Sequence, residues 1–111
     1  MKVQVTAKFS LDNGEVKRVD WYEIDPILKG HIMEHGEKKP VEIILKSAKE
    51  VLNEYKKIFR KYHRENEVFA IEDITGELAG VPFSKVSYWT VKAEEMKEDA
   101  TKLVNRAVIK S

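Results

Sequence analysis

Residues 2–21 read KVQVTAKFSLDNGEVKRVDW and contain a clear β-hairpin pattern. Apolar and polar residues alternate over residues 3–9, which is the period of a strand with one buried face. The dipeptide Asn13-Gly14 that follows is typical of a tight hairpin turn. The return strand is expected at about residues 15–23. The predicted core residues of this hairpin share one parity on each strand: Val3, Val5, Ala7, Phe9, Val19 and Trp21.

Three segments farther along the chain have helical patterns. Residues 40–64 place their apolar side chains within an arc of about 140° on a helical wheel, which predicts a long amphipathic helix. Residues 92–109 carry a similar apolar stripe, with acidic residues near the start and basic residues near the end, and predict a C-terminal helix. Between the hairpin and the long helix, Asp25-Pro26 resembles a helix start and Gly36 a helix end. A short helix is therefore expected there.

A second hairpin is expected from residues 67–74 and 83–91, because both runs are rich in β-branched and aromatic residues and turn-forming residues lie between them. The predicted order is ββ, short α, long α, ββ, α. We expect an α+β fold in which the two hairpins form a mainly antiparallel four-stranded sheet, packed by the long amphipathic helix and the C-terminal helix. The 111 residues fit one domain, residues 1–111.

Composition excludes several classes of protein. The chain has no cysteine, so disulfides, thiolate nucleophiles and cysteine metal sites are excluded. It has no run of apolar residues long enough for a signal peptide or a membrane helix, so a soluble, cytoplasmic protein without membrane contact is expected. No phosphate-binding, dinucleotide-binding or serine-nucleophile motif occurs. We therefore predict no cofactor and no enzymatic activity.

The charge is unevenly distributed although its total is only +1. Residues 38–64 carry nine basic and three acidic side chains, whereas residues 65–84 carry five acidic side chains and no basic one. Three interpretations of the basic helix face remain open: a solvated surface, a nucleic-acid interface, or a surface for an acidic protein. Its residues are Lys46, Lys49, Lys56, Lys57, Arg60, Lys61 and Arg64.

Two aromatic pairs, Trp21-Tyr22 and Tyr88-Trp89, lie in predicted strands. Neighbouring strand residues point to opposite faces, so one member of each pair is expected in the core and the other on the surface. An exposed aromatic ring could anchor a partner protein or stack on an unpaired base, and ordinary sheet packing is the alternative. We therefore count the four aromatic residues as candidate binding residues.

Residues 31–35 match the pattern H-x-x-E-H of a class of zinc peptidases. On a helix, His31 and His35 could reach one metal ion and Glu34 could activate water. Those enzymes are much larger and use a further distant carboxylate, and glycines flank the motif here. We interpret the match as coincidental, so these three residues are weak metal candidates only.

Together these observations predict a small, non-catalytic binding or regulatory domain that acts through protein–protein contacts. The alternative is a nucleic-acid-binding module that uses the basic face of the helix at about residues 40–64. A homodimer is a third arrangement that the sequence leaves open, because hairpin edges can pair across subunits.

Overall fold

A computed structural model describes residues 1–97. Within them the chain forms seven β-strands, one α-helix and one turn of 3₁₀ helix. In chain order these are β1 (Lys2–Leu11), β2 (Val16–Ile24), β3 (Ile27–Glu34), β4 (Glu37–Ile44), α1 (Ala48–Glu65), β5 (Val68–Glu72), β6 (Leu78–Pro82), the 3₁₀ turn (Phe83–Lys85) and β7 (Val86–Met96).

The main sheet is antiparallel and three-stranded, with β1 between β2 and β7. The predicted first hairpin is confirmed, because β2 pairs with β1 so that Trp21 lies opposite Val5. The predicted parity is confirmed as well, because all six predicted core residues are buried: Val3, Val5, Ala7, Phe9, Val19 and Trp21. One face of the sheet is therefore apolar and covered, and the other is open.

Helix α1 covers the apolar face. Ser47 caps its start, since the Ser47 hydroxyl accepts a hydrogen bond from the Glu50 N–H at 3.2 Å. Asn66 ends it in the left-handed conformation, with φ 55°. Val51 and Phe59 are its buried residues. The helix contributes its apolar stripe to a core that the sheet alone could not close.

The helix passes obliquely over the sheet, because its successive turns contact β2, β1 and β7 in that order. Its Tyr55 ring packs on Trp21, with centroids 5.1 Å apart, and one turn later the Phe59 ring packs on Phe9 at 5.4 Å. A further turn along, His63 Nε2 lies 3.0 Å from the carbonyl oxygen of Val86. The C-terminal turns of α1 therefore lie nearest to β7.

The β5–β6 hairpin closes the remaining side of the core. Phe69 and Val81 are buried, and the Phe69 ring lies 4.9 Å from that of Phe59. The hairpin also contacts the outer edge of β2, where the N–H of Ile74 donates to the Asp20 carbonyl at 2.9 Å. Strand β2 is thus partly covered on the side that faces away from β1.

Strands β3 and β4 form a separate two-stranded unit, which we call the ribbon (residues 27–44). His35 and Gly36 form its two-residue turn, and both have positive φ, 51° and 79°. Two consecutive positive φ angles are the geometry of a type I′ hairpin turn. At the other end, the Leu45 N–H donates to the Pro26 carbonyl at 2.9 Å and closes the ribbon's base.

The predicted α+β fold with one four-stranded sheet is wrong. The described chain is mostly β, with one helix and three small sheets. The predicted pairing of residues 67–74 with residues 83–91 does not form: β5 pairs with the nearby β6, and β7 returns to the free edge of β1. Pairing β5 with the nearby β6 closes a shorter loop than the predicted pairing and so costs less entropy, and β7 is left to pair with β1.

The predicted short helix is also wrong, and the long helix begins later than predicted. Residues 27–34 are β3, so Gly36 ends no helix but supplies the hairpin turn. Residues 40–44 belong to β4, and α1 begins at Ala48, after the Ser47 cap. The apolar residues at 41, 44 and 45 happen to extend the helical period, but the pairing of β4 with β3 sets their conformation.

The start of the predicted C-terminal helix is corrected too. Residues 92–96 belong to β7, where alternate side chains at Val91 and Ala93 pack against the core. The long-range pairing with β1 overrides the local helical pattern. The rest of that predicted helix, residues 98–109, lies outside the described residues.

Candidate binding surfaces

One flank of α1 carries only basic and neutral side chains. Lys49, Lys56, Arg60, His63 and Arg64 fall within an arc of about 100° on the helical wheel. We call these five residues the basic flank. No acidic residue of the helix lies within this arc, since its three glutamates, Glu50, Glu54 and Glu65, lie on the outer surface and toward the opposite flank. The positive charges of the basic flank are therefore not offset by acidic side chains of the helix within the same arc.

The basic flank overhangs β7. Arg60, His63 and Arg64 line a shallow cleft of about 280 Å³ together with Trp89 of β7. Trp89 is half-buried and packs edge-on against Phe59, with centroids 5.4 Å apart. The opposite flank of α1 faces the other way, since Glu54 and Ile58 line a different cleft at the ribbon base.

The outer edge of β7 has no strand beside it among residues 1–97. Ten of its eleven residues pair with β1 on one side, Ser87 forming a bulge, and the backbone groups on the other side point away from the sheet. The basic flank and this edge therefore form one continuous surface that combines cations with backbone donors and acceptors.

The structure places the predicted basic residues in three different positions. Lys49, Lys56, Arg60 and Arg64 share the basic flank. Lys57 and Lys61 lie farther round the helix, where Lys57 pairs with Glu54 at 3.2 Å. Lys46 precedes the helix, and its backbone N–H donates to the Glu50 carboxylate at 2.6 Å.

The aromatic pairs divide between the two sheet faces as predicted. Trp21 is only 1% exposed, so it is a core residue and not a surface anchor. Trp89 is half-buried on the same face, whereas Tyr22 and Tyr88 are exposed on the open face. Tyr22 lies opposite Gln4 and Tyr88 opposite Ser10. The two tyrosines are thus about 20 Å apart along the strands and do not form a joint aromatic platform.

The H-x-x-E-H motif lies at the tip of the ribbon. His31 and Glu34 are in β3 and His35 is in the turn, so the helical spacing that would bring two histidines to one metal ion does not apply. Glu34 pairs with Lys39 at 3.3 Å. Within residues 1–97 no group of three or more His, Asp or Glu residues is arranged to hold a metal ion.

Sequence reasoning missed a polar cluster between β2 and α1. Glu23 accepts hydrogen bonds from the Trp21 indole N–H at 3.1 Å and from the Tyr55 hydroxyl. Burial raises the pKa of Tyr55, and the hydrogen bond to Glu23 and the carboxylate charge raise it further. The parity of β2 could have revealed this cluster, because Glu23 falls on the same face as Val19 and Trp21.

The cleft beside this cluster is small. It measures about 150 Å³ and is lined mainly by apolar side chains of α1 and the ribbon base, among them Leu28, Leu45 and Ile58. Both donors named above bind the same carboxylate oxygen, Glu23 Oε1. The arrangement therefore holds the helix against the sheet beside the ribbon base.

A second polar cluster lies on the open face. The Thr6 hydroxyl donates to the Asp20 carboxylate at 2.5 Å, and Arg18 pairs with the same carboxylate at 3.0 Å. Burial would raise the pKa of Asp20, but the hydrogen bonds from Thr6 and Arg18 outweigh burial and hold this pKa below its ordinary value. The cluster ties β1 to β2 on the side without a helix.

No protein-family model, curated protein or solved structure matches this chain. In the part of the chain that the structure describes, no helix is both long and apolar enough to cross a membrane.

Proposed function

We propose that this chain is a protein-binding domain whose docking element is the ribbon. The carrying observation is the exposure of large apolar side chains along the ribbon: Ile32 is 48% exposed and Ile43 54% exposed. Both lie on one face, because Ile43 is opposite Leu28, and Ile32 is four residues along from Leu28. Exposed apolar patches of this kind mark protein interaction sites.

The charge pattern of the ribbon supports an apolar contact. Residues 27–44 carry three lysines and three glutamates, so the ribbon has no net charge. Lys29 lies opposite Glu42, and Lys39 pairs with Glu34. Because these charges pair within the ribbon, the ribbon has little electrostatic field to attract a charged partner. We therefore expect it to bind in an apolar groove on another protein.

Packing against a partner would also stabilise the ribbon. A two-stranded hairpin is at best marginally stable in water without a surface to pack on. Here the base packs on α1 through Leu28 and Leu45, whereas every residue from His31 to Pro40 is exposed. A groove that covers the outer half of the ribbon would supply the missing packing.

A quantitative affinity purification with three forms of the full chain tests this function. Ile32→Thr with Ile43→Thr removes apolar area but keeps β-branched residues suited to strands. Val16→Thr with Ile24→Thr is the matched control, because these residues are 65% and 69% exposed on the open sheet face. We expect the ribbon variant to lose one identified protein that the wild type and the control both retain.

Equal retention by both variants, or loss only in the control, would contradict the proposal. Light scattering on the purified forms measures their oligomeric state and so tests whether a second copy of this chain binds the ribbon. If the wild type is a dimer and the ribbon variant is a monomer, the ribbon docks on a second copy of this chain. That result would contradict the assignment of a different protein as the partner.

The alternative function, nucleic-acid binding, is favoured by the basic flank. It predicts an affinity for single strands or duplexes that falls steeply with salt, and that weakens when Arg60 and Arg64 are reversed to Glu. Electrophoretic mobility shifts at about 50 mM and 200 mM salt measure this directly. The ribbon plays no part in this alternative, so Ile32→Thr with Ile43→Thr would leave it unchanged.

A further inference from the structure

The outer edge of β7 is long and has no strand beside it within residues 1–97. Natural proteins protect such edges with proline, lysine, bulges or a covering element, because an open edge is a template for another strand. Strand β7 has eleven residues and no proline, and its protective features are one lysine, Lys92, and a bulge at Ser87. The other edge strand, β2, differs, because Ile74 and the Lys17–Gly80 contact cover it in part.

The basic flank favours a negatively charged partner along this edge. Arg60 and Lys56 have no carboxylate within 4 Å among the described residues, and Arg64 has only its neighbour Glu65 at 3.9 Å. Three cations at the same flank, with their charges largely unpaired, attract carboxylates.

The spacing of the flank matches an extended chain. Lys56, Arg60 and Arg64 are each four residues apart, which is a rise of about 6 Å per step along the helix. Alternate residues of a strand are about 6.6 Å apart and point to the same face. Arg60 and Arg64 line the cleft with Trp89 of β7, so acidic residues at alternate positions of a strand beside β7 would meet these two cations.

We propose that an extended acidic segment of a partner protein binds along β7 as an added strand, with carboxylates at alternate positions facing Arg60 and Arg64. The peptide backbone pairs with the free edge, and the acidic side chains fix the register beneath the helix. This site is separate from the ribbon and does not depend on the function proposed for it.

Two other occupants fit the surface less well. A second copy that paired its β7 with this β7 in antiparallel fashion would bring two basic flanks to the same face of the joined sheet, where like charges repel. A nucleic acid would meet the cations, but its phosphodiester backbone lacks the alternating donors that the carbonyl groups of a strand edge require. Both remain outcomes of the test.

The test measures binding of fluorescein-labelled nine-residue peptides to the full chain by fluorescence anisotropy. One peptide alternates Glu and Thr. A second has the same composition with the glutamates in one block. A third is the alternating sequence with every second backbone nitrogen methylated, which removes the donors needed for strand pairing. A dT15 oligonucleotide reports on polyanion binding.

We expect the alternating peptide to bind most tightly, the block peptide at least about fivefold more weakly, and the methylated peptide not measurably. Arg60→Glu with Arg64→Glu is expected to weaken binding by at least about tenfold. Lys57→Glu with Lys61→Glu is the matched control, since it makes the same charge change on the same helix outside the flank. We expect it to change the affinity by less than about twofold.

Equal binding of the alternating and methylated peptides would overturn strand addition, and stronger binding of dT15 would assign the surface to nucleic acid. Equal weakening by the two charge-reversal pairs would mean that net charge, and not the flank, attracts the peptide. Amide exchange of β7 separates folding defects from lost binding: the bound wild type should show newly slowed β7 amides, while both variants without peptide should match the free wild type.

Discussion

Glu23 is the residue that joins three elements of the fold. Its carboxylate accepts from Trp21 on its own strand and from Tyr55 on α1, beside the ribbon base. Alternation along β2 places this acid on the core side, so the position was predictable from parity. Its partners were not, because Tyr55 lies 32 residues away and only the packing of α1 brings it there.

Removing the acceptor should destabilise the protein measurably. Glu23→Ala leaves the Trp21 N–H and the Tyr55 hydroxyl without their partner, and we expect the free energy of unfolding to fall by about 1–3 kcal/mol. Glu23→Gln keeps an acceptor and should cost less. Urea denaturation at pH 7 measures both, and a Glu23→Ala protein as stable as the wild type would show that the cluster contributes nothing.

Asp20 gives the fold a specific dependence on acid. Its pKa is lower in the folded protein than the ordinary 3.8, so its contribution to stability is present above that value and is lost as the pH falls through the folded pKa. We expect Asp20→Asn to flatten part of the decline in stability below about pH 4. The urea midpoint at pH 7, 4 and 3 checks this, and parallel declines in the two proteins would contradict it.

The ribbon is the element that the sequence analysis misjudged most. Asp25-Pro26 and Gly36 are typical of helix ends, and only the positive φ of both His35 and Gly36 identifies the turn as type I′. The hairpin and the helix compete over the same residues, and cross-strand pairing decides between them. By contrast, α1 was predictable from residue 48 onward because its apolar stripe and Ser47 cap agree.

A glycine substitution tests the ribbon turn. Gly36→Ala introduces a Cβ at φ 79°, and we expect it to weaken the ribbon locally by about 1 kcal/mol. Gly80→Ala is the control, because Gly80 has no positive φ and nothing lies within 4 Å of an added Cβ. Amide exchange of β3 and β4 should speed up in the first variant only. Equal exchange in both would show that the turn does not hold the ribbon.

At the scale of the whole molecule, the order of strands in the sheets could not be predicted from one sequence. Residues 86–96 have strand-forming residues at their start and a helical pattern toward their end, and pairing with β1, more than 70 residues earlier in the chain, decides the outcome. The uneven charge was visible in advance. Its arrangement as a basic flank over the free edge of β7 follows only from the placement of α1 and could not be read from the chain.

Site-specific photo-cross-linking tests the central claim, that the ribbon docks on another protein. A benzophenone amino acid replaces Ile43 on the ribbon, and in a separate protein replaces Ile24 on the open sheet face, where the exposure is comparable. Both proteins are irradiated in the cells that make them, and the adducts are identified by mass spectrometry. We predict one adduct with a different protein from position 43 and none from position 24. An adduct only from position 24, or none from position 43, would contradict the proposed function.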